Sequence, residues 1–176
     1  MFKTIVVPTD GSVHSKKAID LAADIADKYD ARLIIVHVLM RHASESELEA
    51  VCKEIKMPES LAKKFEEMRQ AFVEMAAVTY EAGPVFIPVP DDVLNEVGNL
   101  ILDNARLRAE SNGARDITTQ ILDGAPAEKI IAVAEKENAN LIVMGSRGLG
   151  NLAGLLMGSV SHKVSHLSTC TCVTVK

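Results

Sequence analysis

The sequence predicts a three-layer α/β fold in which helices cover both faces of a mostly parallel sheet. Two observations support this prediction. Short runs of β-branched and aliphatic residues, of the kind buried on both faces of a parallel sheet, occur at five places in the 176-residue chain. Between them lie stretches in which apolar residues recur every three or four positions, as in amphipathic helices. Strands that alternate with helices require β-α-β crossovers, and these place helices on both sides of the sheet.

The first part of the chain supplies two strands with a helix between them. Residues 3–7 form a nearly continuous β-branched run and predict the first strand, which ends at the turn cluster of residues 8–12. A helix is predicted from Ser15 to Tyr29, because its apolar residues recur at helical spacing. A second buried strand is predicted from Arg32 to Leu39.

The same pattern returns in the last part of the chain. Pro126 suits the first turn of a helix, where its missing N–H costs nothing. The predicted elements are a strand from Asp116 to Leu122, a helix from Ala127 to Asn138, a strand from Leu141 to Met144, a helix from Ser159 to Leu167 and a strand from Cys172 to Val175.

The middle of the chain has a different character. Amphipathic helices are predicted from Ser44 to Ile55 and from Leu61 to Ala82, and a further helix from Asp91 to Ser111 leads back to the strand pattern. A segment of this length with a single apolar stripe would bury too little surface to fold alone. We therefore interpret residues 1–176 as a single domain, with a helical insertion at about 41–90 that follows the second strand.

The composition argues against several functional classes. The net charge is −5 and aromatic residues make up 3% of the chain, so nucleic acid is not an expected partner. No apolar run approaches the roughly 18–20 residues that cross a bilayer, so no membrane partner is expected. The N-terminal apolar run is too short for a signal peptide, and the expected location is cytoplasmic. Cys52, Cys170 and Cys172 are an odd number and are expected to be reduced thiols.

The most informative segment follows the fourth predicted strand. It contains glycines at 145, 148, 150, 154 and 158, which let the backbone approach a ligand closely, and it leads into a helix that begins at Gly158-Ser159. A helix N-terminus offers free N–H groups and a partial positive charge to a phosphate, and Arg147 and the hydroxyls of Ser159 and Ser161 add donors. These features favour a polyphosphate cradle. The alternative is a solvent-exposed loop whose glycines only turn and cap.

Asp10 follows the first predicted strand, at the edge of the sheet where ligands bind in open α/β folds. Its carboxylate could accept hydrogen bonds from ribose hydroxyls or hold a metal ion against phosphates. The alternative is that Asp10 caps the following helix, because Asp is a favourable N-cap residue. Its place opposite the glycine-rich segment favours the ligand interpretation.

These motifs together resemble the universal stress protein family. The resemblance rests on two motifs, Gly145-x2-Gly148-x9-Gly158-Ser159 and the opening Ile5-Val6-Val7-Pro8-Thr9-Asp10-Gly11-Ser12. Further matches occur at 123–126 and 160–164. The spacing is that of the family's ATP-binding branch, and the resemblance covers roughly 1–40 and 91–176. It implies a Rossmann-like, adenine nucleotide hydrolase-like fold with an open, twisted, five-stranded parallel sheet of order 3-2-1-4-5. It also implies an ATP site and a homodimer formed through the C-terminal strand.

The resemblance also assigns roles to residues of this chain. Asp10 would contact the ribose, the backbone at Val38 would meet the adenine edge, and Gly124 would pack near the ribose. Pro8 and Thr9 would line the adenosine with Asp10, whereas the phosphates would be held by Gly145, Arg147, Gly148, Gly158, Ser159 and Val160. Mg²⁺ or Mn²⁺ is expected with the phosphates.

The leading functional interpretation is an ATP-binding regulatory protein that senses or buffers a stress or energy state. One alternative is a slow ATP hydrolase or phosphotransferase, for which Asp10, His14 and His162 are the candidate groups near the γ-phosphate. Another is a protein-interaction module with a structural nucleotide. Whatever the function, the insertion at 41–90 is expected to form a lid over the adenine side, a surface for a protein partner or additional dimer packing. No residue is assigned a catalytic or metal-binding role.

Overall fold

A computed structural model describes residues 1–41, 45–55, 57–78, 89–149 and 157–176. Every predicted strand and helix is present, and the ends that fall within the described residues are displaced by at most two residues. The end of the helix predicted to reach Ala82 lies outside the described residues. In order, the elements are β1 Thr4–Pro8, α1 Val13–Tyr29, β2 Arg32–Val38, α2 Glu45–Glu54, α3 Glu59–Val78, α4 Asp91–Ser111, β3 Ile117–Leu122, α5 Pro126–Lys136, β4 Leu141–Gly145, α6 Ser159–Leu167 and β5 Thr171–Val175.

The five strands form one parallel sheet of order β3-β2-β1-β4-β5, which confirms the predicted fold. β1 lies at the centre, where Ile5 is in register with Leu33 of β2 on one side and Leu141 of β4 on the other. Strand order reverses at this point, since the chain moves outward from β1 to β2 and β3 and then returns to β4 and β5. A crevice between the carboxyl ends of β1 and β4 follows from this topology.

Two hydrophobic cores cover the two faces of the sheet. Successive residues of β2 alternate between them: Leu33 and Ile35 pack against α1 and α4, whereas Ile34 and Val36 pack against α5 and α6. All four side chains are 0% exposed. Burial on both faces explains why the strand is an uninterrupted apolar run and not an alternating one.

A third, smaller cluster joins α2 and α3 to the outer side of α4. Val51, Ile55 and Leu61 of the two-helix segment (α2 and α3) pack against Val93, Val97 and Ile101 of α4. Two ion pairs also hold this segment: Glu54 of α2 with Lys16 of α1 at 2.6 Å, and Lys64 of α3 with Glu96 of α4 at 2.8 Å. α2 is therefore fixed beside the turn that follows β1.

The exposed faces of the helices are charged. Arg108 of α4, for example, makes a two-pronged ion pair with Asp20 of α1, with both N···O distances at 2.6 Å. Among the described residues, no helix has both the length and the apolar character that a membrane span requires.

His37 is a polar side chain inside the core beneath the β1 turn. It is 1% exposed, and its Nδ1 lies 2.9 Å from the carbonyl oxygen of Thr9, so Nδ1 carries the proton and donates it. On its other side α4 comes close, since a Cβ at Gly98 would lie 3.1 Å from His37 Cδ2. Burial lowers the pKa of His37, opposed by the bond to Thr9 and the charge of Asp10.

We expect His37 to make the fold less stable in mild acid. Its pKa is lower in the folded than in the unfolded protein, so its contribution to stability is complete above about pH 6.5 and is lost as the pH falls below that value. The loss has a slope of at most about 1.4 kcal/mol per pH unit, the limit for one proton. Urea unfolding of the wild type and of His37→Asn at pH 7.5 and pH 5.5 measures it. An equal loss in both proteins would contradict the prediction.

Candidate functional site

A cavity of about 320 Å³ opens at the carboxyl ends of β1 and β4. Its walls come from the turn after β1, the end of β2, the loop after β4 and the N-terminal ends of α5 and α6. Residue 47 of α2 also contributes. The lining residues are Pro8, Thr9, Asp10, Ser15, Val36, Val38, Met40, Glu47, Pro126, Ile130, Met144, Gly145, Arg147, Gly148, Leu149, Gly158, Ser159, Val160 and Ser161.

The two ends of the glycine-rich loop are pinned to each other by hydrogen bonds around Ser146. Its backbone N–H donates to the carbonyl of Val175 at 2.7 Å, and its own carbonyl accepts from the N–H of Gly158 at 2.8 Å. The hydroxyl of Ser161 donates to the same carbonyl at 2.7 Å. The start of α6 is therefore held against the end of β4. Gly150 and Gly154, which the sequence singled out, lie outside the described residues.

The three described glycines of the loop differ in whether packing within the protein leaves room for a side chain. A Cβ at Gly145 would lie 2.8 Å from Cβ of His14 and 2.9 Å from the carbonyl oxygen of Arg147. A Cβ at Gly148 would overlap the carboxylate of Asp10. At Gly158 the nearest atom would be 3.6 Å away, an ordinary contact, and its φ is −76°. Packing within the protein thus explains glycine at 145 and 148 but not at 158.

Asp10 links the turn after β1 to the loop after β4. Its Oδ1 accepts from the N–H of Ser12 at 3.0 Å, and its Oδ2 accepts from the N–H of Leu149 at 3.0 Å. The N-cap of α1 is Ser12, whose side chain accepts from the N–H of Ser15 at 3.2 Å. The alternative role considered for Asp10, direct capping of the helix, is therefore wrong. Asp10 also lines the cavity.

The N-terminus of α6 and Arg147 form the electropositive side of the cavity. Gly158 is the N-cap, so no side chain caps the first N–H groups of the helix, and Ser159 and Val160 line the cavity. Uncapped N–H groups and the helix dipole favour an anion here. The hydroxyl of Ser161 makes its hydrogen bond within the protein, since it lies within hydrogen-bond distance of the carbonyls of Ser146 and Gly158. It was expected to contact phosphate, but its single proton is already in use.

Part of the lining is apolar. It consists of Val36, Val38, Met40, Ile130 and Met144, from β2, the residues after it, α5 and β4. A cavity that combines apolar walls with an anion-attracting helix N-terminus suits a ligand that has both a flat ring system and phosphate.

Ten of the eleven predicted binding residues, all within the described part of the chain, line this one cavity. Gly124 is described but is not in the lining. It has a φ of +121°, and a Cβ there would lie 2.7 Å from Cε of Lys129, so glycine is explained by the turn into α5. Of the three groups considered for phosphate chemistry, Asp10 lines the cavity, whereas His14 and His162 do not.

Sequence reasoning missed Glu47 and Leu149. Both line the cavity, and Leu149 also packs against the cluster formed by α2, α3 and α4. One indication of their position was present in the sequence: segment 41–90 leaves the carboxyl end of the second strand, where the ligand was expected.

The described residues contain no group of three metal-ligating side chains. The rings of His162 and His166 stack with their centroids 6.4 Å apart.

Comparison with known proteins gives a consistent result. Universal stress protein YxiE of Bacillus subtilis is 34% identical over 181 aligned positions, which cover 100% of each chain. A solved universal stress protein in complex with cAMP has a TM-score of 0.60 and 26% identity, over 99% of this chain and 96% of that one. UspA from Lactobacillus plantarum, at 20% identity, shares the fold with a TM-score of 0.65, over 99% of this chain and 98% of its own.

The family profile described as the universal stress protein family matches residues 1–176, the full sequence. With this match, and with a relative 34% identical over its whole length, the chain belongs to the universal stress protein family.

Proposed function

We propose that the protein binds ATP in the cavity between β1 and β4 and acts as a regulatory protein that senses or buffers a stress or energy state. One observation carries the proposal: α6 presents an uncapped N-terminus to the cavity, at a glycine that packing does not require, beside Arg147. That arrangement suits phosphate. A relative 26% identical in sequence has been solved in complex with cAMP, which supports an adenine nucleotide as the ligand.

Each part of the nucleotide has a matching part of the cavity. The adenine would lie against the apolar walls, beside Val38 and the neighbouring aliphatic side chains. The ribose would lie beside Pro8, Thr9 and Asp10. Because both carboxylate oxygens of Asp10 already accept backbone N–H groups, a ribose hydroxyl would share the oxygen that faces Leu149. The phosphates would be held by Gly145, Arg147, Gly148, Gly158, Ser159 and Val160.

A divalent cation, Mg²⁺ or Mn²⁺, would accompany the phosphates. The oxygen donors of the lining include the carboxylate of Asp10 and the hydroxyl of Ser159, and these suit a hard cation that keeps water and phosphate ligands. When bound, the ion would neutralise part of the phosphate charge.

Binding without turnover is the proposed activity. Phosphoryl transfer needs a group that positions the attacking oxygen near the γ-phosphate. Of the three candidate groups, Asp10 is the one in the described lining, and its carboxylate already accepts hydrogen bonds from Ser12 and Leu149. We place the protein in the cytoplasm as a single domain, with the two-helix segment as an insertion that a protein partner would contact.

We expect Arg147→Ala to weaken ATP binding. The exposed guanidinium at the cavity mouth would lose a charge-assisted contact worth about 1.5–3 kcal/mol, roughly a tenfold to hundredfold increase in Kd. Isothermal titration calorimetry with ATP and Mg²⁺ measures the change.

Arg106→Ala is the matched control, because Arg106 is an exposed arginine of α4 outside the cavity lining. Equal affinity for ATP in the wild type and in Arg147→Ala would contradict the assigned phosphate position. No binding by the wild type at millimolar ATP would overturn the proposed function.

We expect Gly158→Ala to reduce affinity without unfolding the protein. A methyl group fits at Gly158 with ordinary contacts, so the stability should fall by less than about 1 kcal/mol. The same group would stand beside the N–H groups that meet the phosphates, and we expect ATP affinity to fall about tenfold. Urea unfolding and calorimetry measure the two effects. Unchanged affinity would show that phosphate does not approach the start of α6.

We also propose that the protein is a homodimer formed through β5. β5 is an edge strand of the described sheet. The carbonyl of Val175 bonds toward β4, so the backbone groups of Cys172 and Thr174 point to the outer edge. A second copy of the strand would form hydrogen bonds with these backbone groups.

Thr174→Pro should therefore separate the dimer and leave the monomer folded, because proline removes an outward N–H and is tolerated on an edge strand. Sedimentation equilibrium measures the mass, with Thr174→Val as the control that keeps the N–H. A dimer that survives Thr174→Pro would place the interface elsewhere.

A further inference from the structure

A second cavity, of about 360 Å³, adjoins the turn after β1. Its walls come from that turn, from α1 and α4, and from Glu54 and Ile55 at the end of α2. Its volume lies within the range of sites for small molecules. Thr9 is the one described residue that lines both this cavity and the cavity between β1 and β4. The two cavities are therefore neighbours with different walls.

The two-helix segment forms one wall of the second cavity. Ile55 is 4% exposed and packs with Ile101 of α4. It also lies close to the turn after β1, because a Cβ at Gly11 would be 3.1 Å from its Cγ2. Glu54 beside it pairs with Lys16 of α1 at 2.6 Å. Packing and an ion pair therefore hold this wall against α1 and α4.

Much of the lining of the second cavity is apolar. Ile19 of α1 and Ile101 and Ala105 of α4 are at most 4% exposed, and Ile55 and Leu100 add to the apolar surface. Hydrocarbon that enters such a cavity leaves water, which favours binding. We therefore expect a ligand with an apolar body.

The polar side chains of the second cavity have unused hydrogen-bond donors. The Nζ of Lys16 donates to the side chain and to the backbone carbonyl of Glu54, at 2.6 and 3.0 Å, which uses two of its three protons. Arg108 donates to Asp20 through Nε and Nη2, and its Nε also lies 3.2 Å from the carbonyl oxygen of Lys16. Neither its Nη1 nor the amide of Asn104, one turn earlier on α4, has a hydrogen bond to a described residue.

These donors suit a carboxylate better than a phosphate. Lys16 is balanced by Glu54, and Arg108 is balanced by Asp20, so no net positive charge offsets the nearly two charges of a phosphate monoester. A carboxylate carries one charge, and its hydrogen bonds to ammonium and guanidinium groups are stronger than those between neutral groups. The lining therefore matches an apolar body that bears a single carboxylate.

We propose that the second cavity binds a small organic carboxylate with an apolar body, and that the two-helix segment completes this site. The inference goes beyond the proposed function, since it concerns another cavity and requires no nucleotide.

The test uses octanoate as the probe and octanamide as its neutral counterpart with the same chain. A titration followed by two-dimensional amide NMR measures affinity and location together. Octanoate should shift the backbone signals of Gly11 and Ile55 and the side-chain amide signal of Asn104, and it should leave those of Gly158 and Ser159 at the start of α6 unchanged. Octanamide should bind at least about threefold more weakly, because it lacks the charge.

Two variants and a matched control locate the site. Arg108→Gln should weaken octanoate binding by roughly threefold to tenfold, since it removes the guanidinium charge. Asn104→Phe keeps both ion pairs and should abolish binding, because a ring at this exposed position would occupy the cavity. Arg106→Gln is the control, since Arg106 is an exposed arginine of the same helix outside this lining. Urea unfolding shows whether each variant folds, and if one does not, the other decides.

The expected result is a saturable shift at the named residues that weakens in Arg108→Gln and Asn104→Phe and persists in Arg106→Gln. No saturable shift, equal binding of octanoate and octanamide, shifts confined to α6, or unchanged binding in the folded variants would each overturn the inference. None of these outcomes bears on ATP binding, which calorimetry with ATP tests separately.

Discussion

The carboxylate of Asp10 is the interaction on which the site depends. One oxygen accepts from Ser12 and fixes the turn that starts α1, and the other accepts from Leu149 and fixes the loop after β4. This contact requires glycine at 148, because a side chain there would overlap the carboxylate. It also requires β1 and β4 to be neighbours, which the strand order provides. A single acid thus joins the two loops that bound the cavity.

Glycines with a structural reason can be separated from those without one. At 145 the backbone lies too close to His14 for a side chain, so glycine is needed whether or not a ligand binds. At 158 the protein leaves room for a methyl group, although this residue starts the helix whose N-terminus lines the cavity. An unexplained glycine beside uncapped N–H groups and a guanidinium is therefore a stronger indication of a phosphate ligand than the number of glycines in the loop.

Much of the fold could be predicted because its signals are local. The apolar run of β2 indicates a strand buried on both faces, and both cores confirm it. The cavity lining was also largely predictable, since parallel strands bring their carboxyl ends to one edge. Glu47 was not predictable, because its position depends on how Val51 and Ile55 pack on α4. The roles of Ser161 and Gly124 could not be predicted either. The sequence does not show which hydrogen bond a hydroxyl makes or whether a turn glycine reaches the cavity.

Leu149 connects the candidate site to the two-helix segment. Its N–H donates to Asp10, and its side chain packs with the cluster that holds α2 and α3 against α4. A ligand that shares the carboxylate of Asp10 competes with that N–H, and any displacement of Leu149 alters the packing of the cluster. A partner that repositions α2 would therefore change the affinity for that ligand. By thermodynamic linkage, the ligand would change the affinity for the partner by the same factor. The two-helix segment and the loop after β4 are thus joined through one leucine, so the position of α2 and the geometry of the candidate site are physically coupled.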